Sequence, residues 1–323
     1  VRAAFLGLLL LVLTPLALAD EAMDWLRRMD EAGDRLNYQG TLVYSYGDTL
    51  TNFRLTHVRD GNREWEHLVQ LDGKANEVVR GGGELIYKAP GGTSTHLRIQ
   101  PSASLRPEAT AESLARIAPN YRLTATPGER IAGRDALRVA VMPVGADRYG
   151  HVFFLDRTTG LLLKSQLLDT DGSVLETLGF SSLTVGDKVG RDDYQNARHV
   201  ADEIQTRHPA PPHVPAKPQP ARWQFWIPAG FVASPEGVRA KRMNGSRVEV
   251  ITFNDGLSSV SVFSEPVTGK TPRTGQSTRG STALVSRVIN GKPSSWLITV
   301  VGEVPLETAR RIADSVVPAT SVP

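Results

Sequence analysis

A chain of 323 residues without cysteine, 40% hydrophobic and 22% charged, excludes a disulfide framework, a thiol nucleophile, a cysteine-bound metal and wholesale disorder. Its formal net charge is only +3, too little to read a polyanion partner from the pI near 9.2. That charge is unevenly spread: residues 20–205 carry 22 Lys and Arg against 27 Asp and Glu, and residues 206–323 carry 14 against 7, which favours electrostatic docking between the halves or onto a partner.

Residues 1–19 place Arg2 before an apolar run from Phe5 to Leu13, then Pro15 and the small-residue pattern Ala17-Leu18-Ala19. This is the layout of a secretory signal cut before Asp20, so the mature chain is expected to be exported and to meet no nucleic acid. Thr14 and Pro15 break the run short of the roughly 20 apolar residues of a membrane span. Over residues 24–36 the apolar residues Trp25, Leu26, Met29, Ala32 and Leu36 recur near a 3.6 period, which predicts a short amphipathic helix. The period then changes to two. Strands are expected over 38–46, 49–58, 63–71, 76–80 and 84–88, separated by Gly-containing turns that make antiparallel neighbours the natural pairing. A second helix is expected over 107–117, opened by Pro107, and strands resume over 121–126, 136–143 and, in three runs, 149–183.

Six prolines between Thr206 and Arg222 rule out helix and central strand there and predict an extended linker, residues 206–222, between two parts free to move. Residues 223–318 then read as a small α+β domain. Its strands pair through Asn254-Asp255-Gly256 and Asn290-Gly291, and Pro305 opens a helix with Leu306, Ala309, Ile312, Ala313 and Val316 on one side.

No catalytic constellation is found. The seven histidines do not pair at H-x-x-x-H spacing on an expected helix, no G-x-S-x-G elbow occurs, and Gly81-Gly82-Gly83 leads into a strand rather than a helix N-terminus. The chain is therefore expected to be no enzyme, with no catalytic residue, no cofactor and no metal. What the first part does offer is a set of apolar positions alternating with polar ones: Leu42, Tyr44, Phe53, Leu55, Trp65, Leu85, Tyr87, Val152 and Phe154. Curled around a cavity, such a face would hold an acyl chain or an apolar peptide; packed under a helix, it would be core, and both readings stand at this point. Trp223, Phe225 and Trp226, just after the linker, are candidates for a domain or partner contact, or else anchors of the second core.

The segments DWLRRMDEAGDRLNYQGTLVY, RYGHVFFLDRTTGLLLKSQLLDTDG, WIPAGF, DGLSSVSVFSEP and VVGEVPLETARRIADSV resemble, in this order, the MucB/RseB family of periplasmic sigma-factor regulators. The resemblance implies a mostly β, α+β protein. Residues 20–205 would form an antiparallel half-barrel like the lipoprotein carriers LolA and LolB, covered by helices, and residues 223–318 the smaller domain. It implies a periplasmic negative regulator that binds the periplasmic segment of a MucA/RseA-type anti-sigma factor and protects it from proteolysis until lipopolysaccharide or another lipid releases it. A periplasmic lipid or lipoprotein carrier is the alternative, and a homo-oligomer is left open.

Overall fold

The computed structural model describes residues 15–61, 63–74, 76–81, 84–89, 94–98, 110–186, 189, 195, 222–235, 237–243, 246–268, 272–291 and 294–319. The expected linker, save Arg222, and the first 14 residues of the expected signal lie outside them.

Eleven strands build one antiparallel sheet. They are β1 (Tyr38–Tyr46), β2 (Thr49–Asp60), β3 (Arg63–Gln70), β4 (Glu77–Gly81), β5 (Glu84–Lys88), β6 (Ser94–Arg98), β7 (Tyr121–Ile131), β8 (Arg134–Pro143), β9 (Gly150–Asp156), β10 (Leu162–Leu168) and β11 (Val174–Val185). The spatial order is β6-β5-β4-β3-β2-β1-β11-β10-β9-β8-β7. The chain thus winds outward from β1 to one edge, crosses to the other, and winds back until its last strand pairs with its first. Short hairpins make the other steps local, so consecutive strands are sheet neighbours except β6 and β7, which lie at opposite edges, and β1 meets β11 at the seam. The sheet is open and curls, since β7 also contacts β11 although three strands lie between them in the pairing order.

Helix α1 (Pro15–Arg35) begins well before Asp24, the expected start, because Leu16–Met23 hold only helix-compatible residues and Pro15 occupies the first turn. It buries Ala22, Leu26 and Met29 against Leu123, Leu137, Val139, Val141, Phe153 and Leu155 of β7–β9. Leu26 and Met29 each contribute about 2 kcal/mol on burial. The turn from β9 to β10 abuts this helix. Gly160 there has φ +82°, and a Cβ would meet the Arg28 carbonyl at 3.0 Å, so the approach requires glycine. Helix α2 (Ala111–Ile117) starts at Thr110, whose hydroxyl accepts from the Ser113 amide; the expected opening at Pro107 lies outside the described residues.

The second domain is a seven-stranded sheet on one helix, α3 (Leu306–Asp314). Its strands are β13 (Val232–Ala233), β14 (Arg239–Met243), β15 (Ser246–Asn254), β16 (Ser259–Pro266), β17 (Gly275–Arg279), β18 (Thr282–Ile289) and β19 (Trp296–Gly302), ordered β13-β15-β16-β19-β18-β17 with β14 also on β15. A separate pair, β12 (Trp223–Gln224) and β20 (Val317–Pro318), ties the start of the domain to its end. Ala309, Ile312 and Ala313 pack on Ala283, Val285, Ile298 and Val300. The helix covers β18 and β19 and leaves the β15–β16 end of that face to other residues.

Candidate binding site and domain joint

In the first domain β1, β11 and β10 leave an open, mainly apolar pocket with about 460 Å³ of empty space, part of it continuous with solvent. Tyr38, Leu42, Leu55, Leu161, Leu178 and Phe180 are among its lining residues, with Glu66 and Lys164 as its charged members. The pocket floor depends on one irregularity. The β1–β11 register shifts between Thr41 and Leu42, which sets Leu42 opposite Phe180. The Phe180 ring then lies over Gly40, where a Cβ would fall 2.7 Å from the ring and 2.2 Å from the Ser182 carbonyl. Nearby, Tyr38 stacks on the buried His57, whose Nδ1 is 2.8 Å from the Leu36 carbonyl. A carbonyl only accepts, so Nδ1 is the donor to Leu36, and Nε2 lies 3.2 Å from Glu64.

Among the candidate residues, Leu42 and Leu55 line this pocket. Phe53 packs beside it. Val152 and Phe154 are buried in an adjoining cluster with Ile131, Ala140 and Leu168, and Leu163 is common to that cluster and the pocket lining. Trp65 is buried with its ring over Gly81. Tyr87 donates its hydroxyl to Asn76 at 2.8 Å. Tyr44 donates to Glu176 at 3.0 Å, and burial together with that carboxylate raises its pKa. The side chain of Leu85 lies outside what is described. The alternation thus mixes pocket wall and plain core.

The aromatics after the linker are half-buried and pack on the second core. Trp223 meets Trp296 edge to face, Phe225 meets Phe253 likewise, and the Arg311 guanidinium lies 3.7 Å from the Trp226 ring centroid.

The contact between domains is built by residues that the sequence does not mark for that role. Asp255, in the turn between β15 and β16, is fully buried, and Oδ2 accepts from Arg148 Nη1 and from the Tyr121 hydroxyl, each at 2.8 Å. Its other oxygen accepts the Leu257 and Ser258 amides. Arg148, also buried, donates its second nitrogen to the Ala229 carbonyl and lies over the Tyr121 and Phe231 rings. Every formal charge here is paired and hydrogen-bonded, the condition under which a buried ion pair is tolerated. Burial, then the Asp255 charge, push the Tyr121 hydroxyl pKa up. His151 on β9 is held near pKa 4 by burial, and its Nε2 has no partner. A second contact joins Glu176 of β11 to the Ser281 amide in the β17–β18 turn, where Gly280, at φ +59°, leaves no room for a Cβ beside the carboxylate. A buried ion pair and a carboxylate–amide bond thus join the two parts in this arrangement.

A curled sheet with an open apolar pocket, fastened through a buried joint to a second sheet domain, defines a two-domain binding protein of mostly β architecture. The chain belongs to the MucB/RseB family, the MucB/RseB N-terminal domain matching residues 21–198 and the MucB/RseB C-terminal domain residues 217–317. It is 35% identical over 309 residues to the sigma factor AlgU regulatory protein MucB of Pseudomonas aeruginosa, across 95% of this chain and 94% of that one. It is 28% identical over 300 residues to the sigma-E factor regulatory protein RseB of Escherichia coli, across 90% and 89%. Among solved structures, MucB in the Pseudomonas aeruginosa MucA/MucB complex is similar at TM-score 0.73 and 31% identity, over 93% of this chain and 100% of that chain. A crystal structure of MucB gives TM-score 0.62 at 32% identity, over 93% and 98%.

Proposed function

We propose that this chain is a periplasmic negative regulator of an envelope-stress sigma factor, exported by the signal at residues 1–19. It binds the periplasmic segment of a transmembrane anti-sigma factor, shields that segment from regulated proteolysis, and lets go when lipid or lipopolysaccharide occupies the first domain. It acts by binding alone, making and breaking no bond. The observation that carries this reading is likeness through both domains, at a TM-score above 0.7, to MucB bound to MucA. The pocket between Leu42, Leu55, Leu178 and Phe180 is the proposed lipid seat, since its mainly apolar walls suit an acyl segment better than a polar metabolite.

The test is cleavage of the MucA periplasmic domain by its site-1 protease with this protein present, with and without added lipopolysaccharide. Protection that lipopolysaccharide abolishes is the expected result; cleavage at the unprotected rate with folded protein would sink the reading. The same pocket favours a second reading, a periplasmic lipid or lipoprotein carrier. That reading requires lipid transfer to an acceptor membrane, which a regulator does not perform.

A further inference from the structure

One carboxylate serves both domains, and it stands just past the end of the first-domain pocket. Alternate residues of a strand share a face, and residues directly opposite across an antiparallel pair share it too. The register therefore sets three pairs in line on one face: Leu42 with Phe180, Tyr44 with Leu178, and Tyr46 with Glu176. Leu42, Leu178 and Phe180 line the pocket, while Tyr44 and Glu176 do not. Tyr44 is thus the next side chain beyond the pocket wall, its Cβ about 5 Å from that of Leu178. At the other end of the pocket Tyr38 is buried and stacked on His57, whereas Tyr44 is only half-buried, so Tyr44 is the end wall with room to turn.

Tyr44 and the second domain divide Glu176 between them. The Tyr44 hydroxyl donates to Oε2 at 3.0 Å, and the Ser281 amide donates to Oε1. Among the described residues no Lys or Arg pairs with this carboxylate, so these two donors hold it. Ser281 is buried, and a Cβ on Gly280 would lie 3.3 Å from the Glu176 carboxyl carbon and 3.5 Å from the Tyr46 ring. The β17–β18 turn is therefore seated directly on the carboxylate, and a change in the Glu176 rotamer breaks its bond to Ser281.

We infer that Tyr44 and Glu176 form a ligand-sensitive clasp: an acyl chain that extends past Leu178 turns the Tyr44 ring aside, removes its hydrogen bond from Glu176, and frees the carboxylate to leave the Ser281 amide. The inference rests on the reading that the pocket takes lipid, and adds how occupancy reaches the second domain. The ligand opens the clasp only by its differential affinity for the open arrangement. Linkage makes this reciprocal, so opening the clasp by mutation raises the affinity for the ligand by the same factor.

The probe is monomeric palmitate, added to the full mature chain. Binding is read by displacement of a fluorescent fatty acid, and the clasp by hydrogen exchange of the Ser281 amide in NMR spectra. At saturation the Ser281 amide should exchange about tenfold faster, with the Val300 amide in the second core unchanged, and Glu176→Ala should bind palmitate about tenfold more tightly than wild type. Tyr44→Phe keeps the ring and deletes the bond to Glu176; in it, palmitate should leave the Ser281 rate within about twofold of the ligand-free rate. Bound palmitate with an unchanged Ser281 rate in wild type overturns the clasp and leaves the lipid seat and the proposed function standing. An acceleration that persists at full size in Tyr44→Phe overturns it as well, because the signal then bypasses Tyr44. So does an unchanged palmitate affinity in Glu176→Ala, since linkage allows no one-way coupling. Failure of the folded wild type to take up palmitate removes the lipid seat and the clasp together.

Discussion

Without the Arg148 guanidinium, the Asp255 carboxylate would be left as a buried charge with no cation to answer it. Arg148→Met should therefore lower stability by about 3–5 kcal/mol, far beyond the loss expected from an exposed pair such as Arg130 and Asp135. Adding Asp255→Leu should restore only part of this, because the Leu257 and Ser258 amides and the Tyr121 hydroxyl would then lose their acceptor. Denaturant unfolding measures both, and a single-variant loss below about 1 kcal/mol would show that the pair is not sealed from water. His151 gives the pH dependence. Its pKa is near 4 in the folded chain against an ordinary 6.5, so between those values the unfolded chain binds more protons. Stability should be level above pH 6.5 and fall as the pH drops toward 4, by at most about 1.4 kcal/mol per pH unit from this one group. In His151→Phe, which fills the site without the unpartnered Nε2, that slope should shrink; an unchanged slope would assign the acid sensitivity elsewhere. None of this was legible beforehand. Asn254-Asp255-Gly256 reads as hairpin chemistry, and only the fold reveals that the middle residue of the turn is driven into the other domain.

At the scale of elements, the strands that alternate strongly are the ones the sequence discloses. YQGTLVYSY and TLTNFRLTHV announce β1 and β2, and alternation alone sets Leu42 and Leu55 on one buried face. Strands β6, β14 and β17, with sequences STHLR, RAKRM and GQSTR, carry no such signal; they exist because a neighbouring strand supplies the ladder, and β17 is exposed along its whole length. The pocket was half legible for a related reason. Which way Phe180 and Leu178 point depends on the register shift at Thr41 and Leu42, and a one-residue slip sends every side chain to the opposite face. Gly40 guards that register. Gly40→Ala would drive a Cβ into the Ser182 carbonyl, a backbone atom that cannot step aside, and into the Phe180 ring. We expect a loss of about 1–3 kcal/mol and a distorted pocket floor, read by thermal unfolding and by weaker uptake of a fluorescent fatty acid. Gly47→Ala is the control: φ is +51° but no atom lies within 4 Å, so about 1 kcal/mol of backbone cost should appear with uptake unchanged. Equal effects of the two variants on uptake would deny Gly40 its part in the pocket.

Across the whole molecule, pocket and joint share one sheet face. The cross-strand pairs Leu42–Phe180, Tyr44–Leu178 and Tyr46–Glu176 run in line along β1 and β11, from the pocket floor to the carboxylate that holds the Ser281 amide. A ligand that displaced Leu178 or Phe180 would act on a strand whose other end fastens the second domain, so differential binding to the fastened and loosened arrangements has a direct physical route. The Arg148–Asp255 pair is a separate fastening, supplied by the loop before β9 and the turn after β15. Because each domain has its own core, cooperativity between them passes through the contacts that join them; besides these two, Thr308 donates its hydroxyl to the Asp147 carbonyl and Leu257 packs on the first core. Calorimetry of the wild type should therefore show one unfolding transition. Glu176→Ala should keep it single, with the Ser281 amide exchanging its hydrogen about tenfold faster, the consequence of losing a bond worth about 1.4 kcal/mol. The double variant Glu176→Ala with Arg148→Met should separate into two transitions, one for each core. A single transition persisting in the double variant would mean that packing around Leu257, which reaches from the second domain onto the first core, couples the halves without either charge contact.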